Sequence, residues 1–367
     1  MSLAGVYLIV MAICLGPIRG CCAHFHWSYS GRNGPGYWNS KYHTCDSHSQ
    51  SPIDIPQTLV YDPELGDIST EGYDSEMEMV LTNNGHTAHV AVSGDAFIEG
   101  GGLPSRYKLV QFHFHWGNNS SVGSEHTIYG HQFMMEVHFV HYNVEYSGIE
   151  EAMKEPDGLA VLGFMFQVSL DPNPGLSPIV DKLQDVQSEG SSSYIDSGTM
   201  ALSDILPESF GPFFRYTGSL STPPCYESVI WTLFTDFIHI SESQMNEFRK
   251  LTHTEGERLV DNFRPIQELN GRIIYINYYN GYERPSSFVL DSIWPQSNYP
   301  EAQIIKCSSR HGSRKRCMSS PRGWIRNIEI VEKTSIAPCV KCRDFFANGR
   351  AVEVTNGCKG IFRIVFY

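Results

Sequence analysis

Residues Gln111-Phe112-His113-Phe114-His115-Trp116-Gly117 alternate polar and aromatic side chains. A period of two is the period of a β-strand, whose successive side chains point to opposite faces. Phe112 and Phe114 then face a core, while Gln111, His113 and His115 project together on the other side. Two imidazoles presented side by side by a rigid strand suit a metal ion. Catalytic zinc takes three protein ligands and keeps a fourth position open. A third candidate, His138, lies 23 residues beyond His115 in Glu136-Val137-His138-Phe139, which alternates in the same way. That interval is long enough for a hairpin return. Glu136 shares the face of His138 and can hold its second ring nitrogen, and Gln111 can do the same for His113.

Outward from this stretch the pattern stays rich in strands. Leu159 to Phe166 is a continuous apolar run, as in a strand buried on both faces. Turns are expected at Asn84-Gly85, Asp95 through Pro104, Asp171 through Gly175, and Thr222-Pro223-Pro224. Ser243 to Leu251 is the best helix candidate, with apolar positions at Met245, Phe248 and Leu251. The expected class is α+β, mainly β. Four segments follow: a signal peptide at 1–23, a large domain at 24–280, a Pro/Ser-containing linker at 281–303, and a basic Cys-containing module at 304–367.

The motifs around the histidines go further. Gln111-Phe-His-Phe-His-Trp-Gly117, Gly123-Ser-Glu-His-Thr127, Glu136-Val-His138 and His141-Tyr-Asn143 resemble the alpha-class carbonic anhydrases. So do Asn83-Asn-Gly-His86, Gly218-Ser-Leu-Ser-Thr-Pro-Pro224, Gln50-Ser-Pro-Ile-Asp54 and Asn262-Phe-Arg-Pro265. The resemblance covers about residues 26–280, with the motifs in family order. It implies a large, twisted, mostly antiparallel sheet and a Zn2+ lyase that interconverts carbon dioxide and bicarbonate through zinc-bound hydroxide, with a role in pH regulation.

Roles carry over position by position. His113, His115 and His138 match the zinc ligands. Glu125 matches the acid that accepts a hydrogen bond from a hydroxyl gatekeeper. The gatekeeper is Thr in the usual motif and Ser221 here. Serine keeps the donor and acceptor but loses the methyl that restrains the rotamer, so retained, modestly lowered activity is expected. Thr222 matches a second hydroxyl near bicarbonate. His86 matches the proton shuttle, an imidazole being suited by its ordinary pKa of about 6.5, and His89 is a possible second relay. Tyr29, Asn84 and Gln111 match the polar wall that orders water. Val140, Val161, Leu220 and Trp231 match the apolar wall where carbon dioxide rests. Cys45 and Cys225 match the paired cysteines of secreted members.

Export is expected on separate grounds. Val6 to Leu15 has the length of a signal-peptide core and is too short to span a bilayer. Cleavage after Ala23 is favoured and after Gly20 is the rival. The region before the apolar core lacks Lys and Arg, and an uncleaved anchor is the alternative to secretion. Ten cysteines suit an oxidising compartment. Removal of 1–23 takes Cys14, Cys21 and Cys22 and leaves an odd number, so a free thiol or a disulfide-linked dimer follows. Asn118 and Asn119 head two overlapping glycosylation sequons, of which one at most is expected to be used. The last residues offer no hydrophobic tail for a lipid anchor.

Charge is segregated. The chain carries net −13, with 13 Lys+Arg against 5 Asp+Glu in 301–367 (+8) and 14 against 35 in 1–300 (−21). The acidic part excludes nucleic acid as a natural partner. The basic part suggests a polyanionic extracellular matrix. Its Cys307, Cys317, Cys339, Cys342 and Cys358 read as disulfides rather than as a redox or zinc knuckle at Cys339-x-x-Cys342. No His-Glu-x-x-His occurs, which disfavours a zinc protease. The competing function is a matrix or biomineralisation protein with weak or lost catalysis. Against it, all three candidate ligands and Glu125 are present.

Overall fold

The alternation at 111–116 becomes a ten-residue strand, Tyr107–Trp116, with Phe112, Phe114 and Trp116 fully buried. The computed structural model describes residues 27–56, 58–196, 200–207, 210–253, 256–277, 302–310, 313–319, 325–341, 343–348 and 351–366. The expected leader, Cys342, and all of the linker except Ala302 and Gln303 lie outside the described residues. Those two linker positions already belong to a strand.

We number the strands of the main sheet β1 Val60–Tyr61, β2 Glu78–Asn83, β3 Ala88–Ser93, β4 Tyr107–Trp116, β5 Met135–Asn143, β6 Leu159–Ser169, β7 Ser192–Ile195, β8 Phe213–Gly218, β9 Val229–Phe234, β10 Tyr275–Ile276, β11 Ala302–Ser308, β12 Ile325–Lys333 and β13 Lys359–Phe366. Their spatial order is β7-β2-β3-β4-β5-β6-β9-β8-β10-β1-β11-β13-β12, within a sheet of 16 strands among the described residues. Most pairs are antiparallel. β6 with β9, β10 with β1 and β1 with β11 are parallel. The sheet is mixed, and mainly β describes it.

Register positions the histidines. Across β4, His113 lies opposite His89 of β3 on one side and His138 of β5 on the other. One face of the sheet packs Phe112, Phe114, Phe139 and Phe164, the first and third stacked at 5.0 Å. The other face carries Val140, Val161, Tyr216 and Trp231. The β6 run is buried from Leu159 through Phe166, as its unbroken apolar pattern requires.

Two local expectations shift. The helix spans Glu242–Phe248, starting one residue early and ending three early. Ser241 and Gln244 cap its start reciprocally. The chain leaves it at Arg249, whose guanidinium is taken by Gly117 O, Ser120 and Glu242. The expected turn at 95–104 contains a strand, Phe97–Gly100, because Ile98 is fully buried and pairs with Tyr107. The C-terminal module adds β11, β13 and β12 to the main sheet. Its second sheet pairs Arg314–Ser319 with Ala351–Thr355 and the latter with Phe345–Asn348. Disulfides join Cys307 to Cys317 and Cys339 to Cys358. Among the described residues no helix is long and apolar enough to cross a membrane.

His141 on β5 is fully buried; its Nδ1 faces Ala160 O at 3.2 Å and its Nε2 faces Tyr73 Oη at 2.5 Å. Nδ1–H therefore donates to the carbonyl and Nε2 accepts from the phenol. Desolvation holds its pKa down at about 3. An unfolded histidine titrates near 6.5, so the folded state resists protonation. The cost is absent above about pH 6.5 and grows as pH falls toward 3, at up to about 1.4 kcal/mol per pH unit for one group. In His141→Gln, urea unfolding between pH 6.5 and 4 should show a shallower loss of stability. Parallel curves for the two proteins would contradict this.

Candidate metal centre

Each candidate ligand has one ring nitrogen tied to an acceptor. His113 Nδ1 lies 2.9 Å from Gln111 Oε1, His115 Nδ1 2.8 Å from Asn262 O, and His138 Nε2 2.7 Å from Glu136 Oε1. Those nitrogens carry the proton. The remaining ones, Nε2 of His113 and His115 and Nδ1 of His138, are left as bare lone pairs. One ring nitrogen from each histidine lies within 4.8 Å of the others. His115 Nε2 and His138 Nδ1 stand 3.2 Å apart with no proton to share. Two nitrogens bound to one tetrahedral zinc at about 2.0–2.1 Å are about 3.3 Å apart. Lone pairs held this close repel each other unless a cation sits between them. Burial, followed by the neighbouring imidazoles, holds His113 well below the ordinary histidine range. Burial likewise lowers His115. Neutral imidazoles are what a metal needs.

Glu125 supplies a second sign of fit. It is buried, and its Oε1 accepts from Arg264 N at 2.9 Å. Its Oε2 has no hydrogen-bond partner among the described residues and lies 3.6 Å from His115 Nε2 and 4.0 Å from His138 Nδ1. A buried carboxylate oxygen left unpaired is costly. A cationic centre with an attendant hydroxyl satisfies it. The loop that delivers Glu125 needs Gly123: its φ is +155°, and a Cβ there would lie 2.0 Å from Met134 O.

Glu136 is the hub beneath the ligands. Oε1 accepts from His138 Nε2 and His126 Nδ1, both at 2.7 Å, and Oε2 accepts from the backbone N–H groups of Glu125 and His126, both at 2.9 Å. Burial raises its pKa, but His126 and His138 more than offset that and hold it well below the usual carboxylate range. His126, Glu136 and His138 also form a close donor cluster. Those atoms are already joined through protons, so the cluster supports the metal site and does not compete with it. His126 Nε2 is 2.6 Å from Tyr216 Oη, which reaches Ser51 Oγ at 2.9 Å.

The apolar candidates adjoin the ligands. Val140 pairs with Val161 across β5 and β6, and Val161 with Trp231 across β6 and β9. The Trp231 ring lies 4.8 Å from His138, and Leu220 packs on the same cluster. Ser221 is buried beside it but makes no hydrogen bond to Glu125. It lacks the γ-methyl by which a threonine restricts χ1. Thr222 O accepts from Cys225 N at 2.9 Å, and Cys225 is bonded to Cys45.

His86 stands on the turn before β3. Its ring stacks on Trp27 at 3.8 Å, 8° from parallel. Asn84 Oδ1 accepts from the N–H groups of His86 and Thr87, so this end of Asn84 shapes the turn. His89 faces His113 in register, and burial pulls its pKa down to about 4. Tyr29 packs edge-on to Trp27; burial, then Glu125, push its hydroxyl well above its ordinary pKa. Asn118 and Asn119 are both exposed just after β4, with Asn118 Nδ2 donating to Asp261.

Four supporting residues carry no role in the sequence reading. Besides His126 and Tyr216, Asn262 accepts from His115 and donates to His86 O at 2.9 Å. Arg264 ties Glu125 to Gln50 Oε1, Ser51 O and Cys45 O, each at 2.9 Å. His126, Asn262 and Arg264 stand in the quoted motifs and Tyr216 in none; no role was read for any of the four.

Residues 33–278 match a family described as eukaryotic-type carbonic anhydrase, and residues 290–366 match one described as a protein of unknown function (DUF3011). The chain is 35% identical to human carbonic anhydrase 12 over 263 residues, covering 69% of this chain and 73% of that protein. It is 38% identical to human carbonic anhydrase 7 over 264 residues, covering 70% and 98%.

Glu136→Gln replaces one of the two accepting oxygens, and with it two of the four accepting contacts, with an amide nitrogen that presents N–H groups to its neighbours' donors. Zinc affinity should fall about 10–100-fold, read by competition with a chelator. Unchanged affinity would remove Glu136 from the support of the centre.

Proposed function

Because the chain belongs to the eukaryotic-type carbonic anhydrases over residues 33–278, we propose that it is an active, secreted zinc lyase that reversibly hydrates carbon dioxide to bicarbonate and a proton. The observation that carries this reading is the convergence of three unprotonated ring nitrogens beside an unpaired carboxylate oxygen. A zinc ion held there lowers the pKa of bound water to near 7, an effect for which carbonic anhydrases are the standard example.

The chain's own residues do the rest. His113, His115 and His138 are neutral donors and leave the metal's charge uncancelled. Glu125 Oε2, unpaired in the structure, would accept the Ser221 hydroxyl proton once the serine turns toward it, which would direct the serine oxygen's lone pairs toward the centre. Val140, Val161, Leu220 and Trp231 form a dry wall that places a nonpolar gas without hydrogen bonds. Thr222 offers a hydroxyl to the bicarbonate product. His86 receives the proton and hands it to buffer, while Tyr29, Asn84 and the free amide end of Gln111 order the water between. A base with a pKa of about 4 takes up few protons near neutrality, which favours His86 over His89 as the relay.

Secretion rests on the leader pattern at 1–23 and on three disulfides among the described residues. A glycan on Asn118 or Asn119 belongs to the same proposal. No observation favours a matrix protein without catalysis.

Zinc content and carbon dioxide hydration measured on one secreted preparation test the reading. Wild type should hold zinc and hydrate. His113→Ala should lose both while keeping its unfolding midpoint in chelator. A zinc-loaded wild type without hydration would overturn the proposal. Ser221→Thr adds the restraining methyl and should match or modestly exceed the wild-type rate; a drop would show that the serine hydroxyl needs its rotational freedom.

A further inference from the structure

The C-terminal module ends neither as a free domain nor as an open charged surface. Strand β1 is bonded on one side to β10, through Val60 N to Ile274 O at 2.9 Å and Asp62 N to Ile276 O at 3.0 Å. Without the module its other side would be a bare sheet edge flanked by Asp62 and Glu64, a template for unwanted pairing. β11 fills that side in parallel, with Ile304 opposite Val60 and Ile305 opposite Tyr61. Ile305 is fully buried, and Tyr61 packs into the module's core with Cys307 and Phe362.

Charge locks the pairing. Asp62 is 3% exposed, and its Oδ2 meets Lys306 Nζ at 2.9 Å. A buried carboxylate needs such a counter-charge. Lys306 also lies 5.2 Å over the Tyr275 ring of the catalytic domain. Burial lowers the Lys306 pKa, but Asp62 more than offsets it. One turn away, Lys315 bonds Glu64, which Ser308 Oγ also reaches at 3.4 Å. Two more of the module's cations are matched internally, Arg314 by Glu353 and Arg343 by Asp344. The new outer edge, β12, is interrupted by two bulges and exposes Glu329, Glu332 and Lys333. Bulges and charges are how natural sheets blunt an edge.

We infer that residues 302–366 act as an intramolecular edge cap. They recognise the acidic β1 edge of their own chain and replace a bare edge with a charged, bulged one. This gives the match to a family of unknown function a role independent of catalysis, and it assigns Lys306 and Lys315 to an internal partner instead of a polyanion.

The grip is non-covalent among the described cysteines, since Cys45–Cys225 lies within one part and Cys307–Cys317 and Cys339–Cys358 within the other. A protease site placed in 281–301 of the full chain allows the two parts to be cut after folding. Cleaved wild type should elute from a sizing column as one species at low salt. Cleaved Lys306→Glu should elute as two, and the swapped pair Asp62→Lys with Lys306→Glu should elute as one again. Lys306→Ala, a milder change should the reversal disturb folding, should separate at lower salt than wild type. Separation of wild type at low salt, or co-elution of Lys306→Glu at every salt concentration, would overturn the cap. So would intact wild type held on immobilised heparin and released by Lys306→Ala or Lys315→Ala, because those cations would then face a polyanion.

Discussion

Each candidate ligand can turn a lone pair toward the centre only because its other nitrogen is spoken for. Gln111 Oε1, Asn262 O and Glu136 Oε1 accept from one nitrogen apiece and thereby choose the tautomer of the other. Rigid strands place the rings, but strands alone would leave each imidazole free to flip. The most heavily engaged of the three acceptors is Glu136, which takes four donors inside the protein. Burying a carboxylate is expensive, and the expense is met only when its lone pairs are filled. Satisfaction of this kind is close to all-or-none: losing one donor strands charge among the others.

The same chain of bonds leaves the ligands and reaches the loop over them. From Glu136 it passes through His126 and Tyr216 to Ser51, whose Oγ also accepts from Ser219 N at 3.0 Å. Ser219 is two residues before Ser221. A parallel route runs from Glu125 through Arg264 to the carbonyl of Cys45, the disulfide partner of Cys225. The segment bearing the hydroxyls is therefore positioned from beneath by hydrogen bonds and from its far end by a covalent link. The Ser221 side chain itself stands outside both routes, and it lacks the methyl that would restrict its χ1.

What was legible in the sequence is what local period controls. Alternation placed Phe112 and Phe114 opposite His113 and His115, and the unbroken run at 159–166 marked a strand buried on both faces. The second nitrogen's partners at Gln111 and Glu136 were legible too, since residues two apart on a strand share a face. Asn262 as the partner of His115 was not, because 147 residues separate them. His126 stood in a quoted motif without a role, which its bonds to Glu136 and Tyr216 supply. The strand at Phe97–Gly100 was hidden by its glycines, and the helix after Ser241 was cut short by long-range demands on Arg249 that no helical period contains.

The charge pattern has an addressee within the chain itself, at Asp62 and Glu64. A +8 segment beside a −21 segment reads most simply as two modules, one of them seeking an outside polyanion. Opposite net charges on one chain also attract each other, and covalent connection keeps them at high effective concentration. The pair between Lys315 and Glu64 is exposed and worth little. Asp62 differs because it is buried just after β1, whose outer ladder positions are filled by the module's β11. A charge that must be answered, set beside unfilled ladder positions that must be answered, defines one surface with two independent demands. A single strand carrying Lys306 meets both, which no diffuse polyanion can do, because a polyanion brings neither the cation nor the ladder.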